Sequence, residues 1–359
     1  MVNNICVAKS FYCLGENLNK CFKCDYCRVG NEIGDKTKYN ILPSTINKPF
    51  TNIPVAVNLF YGDPLLQIDN TIKILRELEN VNHKGAVVII TKGDFTKFPD
   101  LEFNLDLHFG FSTFGKNHKY DGGKFETFIS NLDNIKSRKH QYKYSIEFRP
   151  ICYGINDDYE TLERVIKIGE EYNLPIGYSG LQGKPEIVKY WNDNNIDLKS
   201  YPNFDFGHLK PLSIEVENNI RQLSLKYNVP VFHKTSCLIS YVHNYERDYN
   251  CHYYRPDEVR CELCPMFNKC NSFKLNKDIN DINIPFEYKI EYKTKHECVL
   301  KTMSLCKYPT DNCTNIEGNI IKIDKQLTAG DYRMIKWLTG YMVDNKFTSD
   351  ETLSEEWFK

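Results

Sequence analysis

The stretch Gly85-Ala-Val-Val-Ile-Ile-Thr91 decides the fold, because five consecutive apolar residues ending in a polar one predict a strand buried on both faces. Similar short apolar runs lie on either side of it, at 53–60 and 105–112. Stretches with helical spacing separate the runs, at 69–78 and 124–139. Strands that alternate with helices indicate parallel βαβ units, so this region predicts an α/β fold built on a parallel sheet.

The alternation continues to about residue 235. Further strands are predicted at 144–152, 173–178 and 229–233, and further helices at 158–172, 185–194 and 212–227. One more strand is expected before the first cysteine cluster, near residues 5–10, which brings the count to seven. An open doubly wound sheet and a partial (β/α) barrel both fit seven strands.

Polar residues follow several of these strands and favour the barrel. Tyr61-Gly-Asp-Pro64, Thr91-Lys-Gly-Asp94 and His233-Lys234 each come where a strand ends. A barrel gathers the carboxyl ends of its strands into one mouth, where active sites lie, whereas an open sheet spreads them along an edge. The sequence therefore predicts a partial (β/α) TIM-type barrel with a Cys-rich C-terminal extension.

Three regions are expected along the chain. Residues 1–236 form the partial barrel, 237–280 form a Cys-rich metal-binding segment, and 281–359 form a small α+β tail. Within the tail, a helix is predicted near 329–343.

Composition narrows the functional classes. The 359 residues are 41% hydrophobic and 26% charged, which is typical of a soluble globular protein, and no apolar run is long enough to span a bilayer. No basic and apolar leader is visible at the N-terminus, so we expect a cytoplasmic protein that does not bind membranes. The net charge of −1 gives no support to nucleic acid as a partner, although a local basic patch would still permit it.

Fourteen cysteines are the most unusual feature, and in a reducing cytosol clustered cysteines indicate metal ligands or catalytic thiols. The first cluster is Cys21-Phe-Lys-Cys24-Asp-Tyr-Cys27, which matches the first three ligands of the ferredoxin pattern C-x2-C-x2-C-x3-C and has Asn31 in place of the fourth. Three thiolates on a [4Fe–4S] cluster leave one iron open for a substrate or cofactor. Alternatively, Cys13 supplies a fourth ligand, and the site is then structural zinc or an electron-transfer cluster.

A second cysteine cluster follows the last predicted strand. Its expected ligands are Cys251, Cys261, Cys264 and Cys270, and the metal is either an auxiliary [4Fe–4S] cluster or zinc, because both accept four thiolates.

Two residues after the last strand are candidate catalytic residues. Cys237 is a candidate hydrogen-atom donor or nucleophile facing the mouth, or else a further ligand of the second cluster. Lys234 is the other candidate, although lysines at such positions are more often solvated.

Four motifs together resemble the radical S-adenosylmethionine superfamily, and more narrowly its spore photoproduct lyase-like branch. They are Cys24-Asp-Tyr-Cys27, Tyr61-Gly-Asp-Pro64, Val88-Ile-Ile-Thr-Lys92 and Phe109-Gly-Phe-Ser112, in the order of the family, and the resemblance covers residues 4–235. The common family motif is C-x3-C-x2-C. Here the first spacing is x2 if Cys21 is the first ligand and x10 if Cys13 is.

The resemblance implies an enzyme. Cys21, Cys24 and Cys27 would hold a [4Fe–4S] cluster that reductively cleaves S-adenosylmethionine, and the resulting 5′-deoxyadenosyl radical would abstract hydrogen from an unknown substrate. An electron donor such as flavodoxin or ferredoxin would reduce the cluster. The residues that the resemblance assigns to S-adenosylmethionine binding are Gly62, Asp63, Pro64, Ser112, Glu147, Arg149 and Tyr178.

Simpler interpretations exist for the same residues. Gly62-Asp63-Pro64 is also an ordinary turn after a strand, and Glu147 with Arg149 on one strand face is also a plain salt bridge. The alternative function is a zinc-stabilised nucleic-acid- or protein-binding module without catalysis. An electron carrier is a third possibility, although a carrier does not need a long series of strands with polar ends.

Overall fold

The structure is a computed structural model. It describes residues 3–7, 12–14, 21, 22, 24, 54–57, 62–140, 142–181, 212–245, 264–266, 288–292, 313–317, 320–323 and 342–344. The helix expected at 185–194 lies outside the described residues, as do Cys27, Cys251, Cys261 and Cys270.

Seven parallel strands form the main sheet, and their order in space is their order in the chain. After a separate first strand, β1 (Asn3–Val7), they are β2 (Tyr12–Leu14), β3 (Val55–Val57), β4 (Ala86–Thr91), β5 (Asp106–Thr113), β6 (Lys143–Ile151), β7 (Ile176–Gly180) and β8 (Val231–Phe232). A doubly wound sheet reverses its strand order at a switch point, and this sheet does not. The predicted α/β fold with a parallel sheet is therefore confirmed.

Helices lie between or after these strands, and two of them begin at a side-chain cap. They are α1 (Ile68–Asn80), α2 (Phe125–Ile135), α3 (Tyr159–Glu171), α4 (Ile214–Tyr227) and α5 (Thr235–Val242). Asp158 caps α3 by accepting a hydrogen bond from Thr161 N at 2.8 Å, and Ser213 caps α4 by accepting from Val216 N at 3.2 Å. Asn228 ends α4 in the left-handed region, with φ of 52°.

The two faces of the sheet are covered differently. On one face, Phe109, Tyr144 and Phe148 belong to the large core with residues of α2 and α3, such as Phe128 and Val165. Alternate residues of the same strands point to the other face, where α5 packs against β6, β7 and β8. We call this second face the α5 face; it carries His108, Gly110, Ser145, Glu147 and Gly177.

Some sequence-based expectations were wrong. The first strand of the parallel sheet is β2, not a strand near 5–10, because β1 pairs antiparallel with β9 (Tyr288–Tyr292) instead. Pairing between strands, rather than the local sequence, decided which of the two short strands, β1 or β2, joins the parallel sheet. Residues 235–242, for which no helix was predicted, form α5.

The described part of the tail contains a small second sheet. The strands β10 (Cys313–Glu317) and β11 (Ile320–Ile323) form an antiparallel pair, and β12 (Met342–Asp344) lies parallel to β11. Because 342 and 343 are in a strand, the helix predicted at 329–343 does not reach its expected end. No helix in the described ranges has both the length and the apolarity needed to cross a bilayer.

Candidate functional site

The loop after β3 is fixed to the loop after β4 by a buried carboxylate. Oδ1 of Asp63 accepts hydrogen bonds from Thr91 Oγ1 at 2.5 Å and from Leu65 N at 2.9 Å, and Oδ2 accepts from Lys92 N at 2.7 Å. Burial raises the pKa of Asp63, and these hydrogen bonds act in the opposite direction. The backbone at Gly93 packs closely against Leu65, because a Cβ at position 93 would lie 2.6 Å from Leu65 Cβ. Both carboxylate oxygens are therefore engaged with the protein.

A partly buried ion pair lies beside this loop. Nζ of Lys92 is 3.0 Å from Oδ2 of Asp121, and the two side chains are only 13% and 4% exposed. Asp121 comes from the connection between β5 and α2, so the pair joins the carboxyl ends of two neighbouring strands. When an ion pair is shielded from water to this degree, removing only one of its two charges lowers the free energy of unfolding strongly.

Cys24 packs against the same connection. Its thiol lies 3.3 Å from Oδ1 of Asp121, and its sulfur accepts a hydrogen bond from Gly122 N at 3.3 Å. Gly122 leaves no room for a side chain, because a Cβ there would overlap the carbonyl oxygen of Phe22. Cys24 of the first cysteine cluster is thus held at the carboxyl edge of the parallel sheet, where ligands bind in α/β folds.

A second polar centre lies on the α5 face. Arg149 forms a salt bridge with Glu147 through NH2, and its NH1 donates to Thr235 Oγ1 at 2.9 Å. Within the described residues, Nε of Arg149 has no hydrogen-bond partner, and burial lowers the pKa of this guanidinium to about 10. The salt bridge on one strand face, which the sequence also allowed, is present.

Two other residues assigned to cofactor binding lie apart from each other. Ser112 is half-buried and pairs in register with Glu147, so it lies on the α5 face. Tyr178 pairs in register with Phe148 and belongs to the large core on the opposite face. The structure therefore brings Ser112 near the Glu147 centre and does not bring the Tyr178 side chain there.

The candidate catalytic residues differ in surroundings. Cys237 is buried in a small apolar cluster with Phe232, Leu238 and Met266, and Cys264 packs against the same cluster. Lys234 is half-buried at the N-cap of α5, and its side chain makes no capping hydrogen bond. Cys237 and Cys264, a member of the second cysteine cluster, therefore pack into the same apolar cluster.

Only two of the three cysteines predicted to bind the first metal lie within the described residues. Cys21 is half-buried and Cys24 buried, while the third member of the triad lies outside the described ranges. In the portion of the chain that is described, no three Cys, His, Asp or Glu side chains are grouped so as to hold a metal ion. The backbone N–H that reaches Cys24 is the kind of outer contact that sulfur ligands of iron–sulfur clusters receive.

Sequence reasoning missed Asp121, whose only signal was an Asp-Gly-Gly stretch in a loop. It also missed a buried group formed by Asp106, His108, Ser145 and His243, whose members are distant in sequence. Comparison with protein-family models and with curated proteins finds no match to this chain.

Proposed function

We propose that the chain is a radical S-adenosylmethionine enzyme on a partial (β/α) barrel, with a Cys-rich extension and an unknown substrate. The observation that carries the proposal is the position of Cys24 at the carboxyl edge of a sequentially ordered parallel sheet. Its sulfur receives a backbone N–H, and its thiol lies against Asp121, which is paired with Lys92 after β4. The cysteine content further favours a reducing cytoplasm and an electron donor such as flavodoxin or ferredoxin.

Cys21, Cys24 and Cys27 are the residues that would hold a [4Fe–4S] cluster. When bound, such a cluster supplies the electron that cleaves S-adenosylmethionine and yields a 5′-deoxyadenosyl radical.

The chain's own residues would position this centre. Lys92 places a positive charge 3.0 Å from Asp121, which offsets the repulsion between that carboxylate and a Cys24 thiolate. Asp63 holds the loop after β3 in place, so its side chain has a structural role and the backbone of the loop is left to meet a ligand.

The α5 face provides the polar surface next to this edge. Glu147 and Arg149 lie there as a buried pair, and Ser112 lies beside them in register. Arg149 Nε, which is buried and without a partner in the described region, is a donor available to an anionic group. In this proposal Ser112 and Arg149 orient the cofactor, and α5 covers this face of the sheet and excludes water from it.

Anaerobic reconstitution with iron, sulfide, S-adenosylmethionine and a reductant tests the proposal. The wild-type chain should bind iron and sulfide and form 5′-deoxyadenosine, whereas Cys24→Ala and Cys27→Ala should form none. Cys152→Ala is the matched control, because that thiol is buried at the end of β6 and its pKa is raised by burial, so it should keep full product formation.

A colourless protein with stoichiometric zinc would contradict the proposal and favour the zinc-stabilised binding module. Product formation that survives in Cys24→Ala would show that the ligands are assigned wrongly. The same metal analysis on Cys13→Ala and Cys21→Ala identifies the first ligand of the triad.

A further inference from the structure

Four polar side chains form a hydrogen-bonded chain on the α5 face, near the amino-terminal edge of the sheet. At its outer end, Oδ2 of Asp106 is 2.6 Å from Nδ1 of His243. Nε2 of His243 lies 3.3 Å from Nδ1 of His108, and Nε2 of His108 lies 2.7 Å from Oγ of Ser145. The Asp106 side chain is 38% exposed, whereas Ser145 is completely buried. The chain thus runs from solvent into the interior.

One assignment of protons satisfies every contact in this chain. The Ser145 hydroxyl donates to Nε2 of His108, Nδ1–H of His108 donates to Nε2 of His243, and Nδ1–H of His243 donates to the Asp106 carboxylate. Burial lowers the pKa of His108 well below its ordinary value and also lowers that of His243. Both rings are therefore neutral at pH 7, as this assignment requires.

The reverse assignment satisfies the two inner contacts, and a lysine at the outer end compensates the third, where the bare Nδ1 of His243 then faces the Asp106 carboxylate. Nζ of Lys143 is 2.9 Å from Oδ1 of Asp106 and 3.1 Å from Nδ1 of His243. If each imidazole carries its proton on Nε2 instead, the Lys143 ammonium donates to the bare Nδ1 of His243. A chain that only stabilises the fold needs one orientation, whereas a chain that conducts protons needs both.

The row of polar residues on the α5 face continues along β6 beyond Ser145, towards the carboxyl edge of the sheet. Glu147 lies two residues further along β6 on the same face, about 6.6 Å away at the usual rise of a strand. Gly110 gives it space, since a Cβ there would lie 3.0 Å from Glu147 Cγ. Arg149 and Thr235 extend the row to the carboxyl edge.

We propose that Asp106, His243, His108 and Ser145 form a proton pathway between solvent at the amino-terminal edge and the polar centre of the α5 face. A proton delivered to Oγ of Ser145 by water moves the hydroxyl proton to Nε2 of His108. His108 passes its Nδ1 proton to His243, His243 passes its own to Asp106, and Asp106 releases it to solvent. One proton enters and one leaves, and both rings then carry their proton on Nε2; the reverse transfer, or rotation of the rings, restores the starting assignment. The pathway requires no metal, so its test is independent of the iron–sulfur proposal.

Hydrogen exchange of the His108 ring N–H, followed by NMR on the full chain labelled with ¹⁵N-histidine, tests the pathway. In the wild type this proton should exchange far faster than the backbone amides of β5. Asp106→Asn still accepts a hydrogen bond from His243 but cannot carry the proton, so exchange should slow by about tenfold or more. Lys143→Gln is the matched control, because it removes the same ion pair while keeping the carboxylate and a donor, and its exchange should stay near the wild-type rate.

Equal exchange in the wild type and Asp106→Asn would overturn the proposal, as would equal slowing in both variants. Ser145→Ala cuts the inner end and should leave the exchange of His108 unchanged; strong slowing there would show that protons do not enter through Asp106. If Asp106→Asn does not fold, His243→Gln breaks the pathway one step further in, and the same slowing is expected.

Discussion

His83 is expected to make the fold sensitive to acid. It lies in the turn between α1 and β4, where its backbone N–H donates to Leu78 O at 3.0 Å. Its side chain is 1% exposed, and neither ring nitrogen has a hydrogen-bond partner in the described part of the chain. Burial lowers the pKa of this imidazole from 6.5 to about 4. The folded state therefore holds the ring neutral, whereas the unfolded chain protonates it below pH 6.5.

The size of the effect follows from that pKa difference. One pKa unit corresponds to about 1.4 kcal/mol, so His83 lowers the free energy of unfolding by about 3 kcal/mol once the pH is below about 4. The sign is that of a base with a depressed pKa: stability is complete above pH 6.5 and falls as the pH drops from 6.5 towards 4. At pH 5 the loss is about 2 kcal/mol.

Replacing the ring isolates this contribution. In urea denaturation, the free energy of unfolding of His83→Leu minus that of the wild type should rise by about 2 kcal/mol between pH 7.5 and pH 5. Other titrating groups are common to both proteins and cancel. His140→Asn, at a half-buried position, is the control and should follow the wild type. A difference between His83→Leu and wild type that is the same at both pH values would refute the reasoning.

Three further predictions concern the carboxyl edge of the sheet. Gly122→Ala places a methyl group against the carbonyl of Phe22, so the cysteine loop should be displaced, with loss of iron binding on reconstitution but an unchanged far-ultraviolet circular dichroism spectrum. Lys92→Met removes the ammonium group from beside the buried Asp121 carboxylate and should cost about 3 kcal/mol, while the double variant with Asp121→Asn should recover part of that loss in a denaturation cycle. Asn131→Ala removes an amide that accepts from and donates to the backbone after β4, at 2.7 and 2.8 Å, and should lower the free energy of unfolding by about 2–3 kcal/mol.

Matched variants separate these effects from general damage. At Gly123 a Cβ would meet only the flexible side chain of Lys92 at 3.1 Å, so Gly123→Ala should retain iron far better than Gly122→Ala. Equal iron content in the two glycine variants would contradict the anchoring of the loop. Strict additivity of Lys92→Met and Asp121→Asn would show that their ion pair contributes nothing.

The local sequence pattern was enough to predict the long, regular helices and strands. The strand predicted at 85–91 is observed at 86–91, and the helix predicted at 158–172 is observed at 159–171. The strand is an unbroken apolar run that ends at a polar residue, and the helix has a clear period and begins at a strong signal, the Asp158 cap. α5 was missed because its sequence, Thr-Ser-Cys-Leu-Ile-Ser-Tyr-Val, is rich in residues of low helix propensity, and its packing on β6–β8 stabilises it instead.

The sequence by itself determined an α/β chain, the strand ends that carry polar residues, and the close spacing of the thiols. Only the tertiary structure decided which strand begins the parallel sheet, that Cys24 meets Asp121, and that His108 meets His243 across 135 positions of the chain. The physical reason is that periodicity and capping act within a few residues, whereas pairing register and the packing of side chains on a sheet face depend on residues brought together by folding.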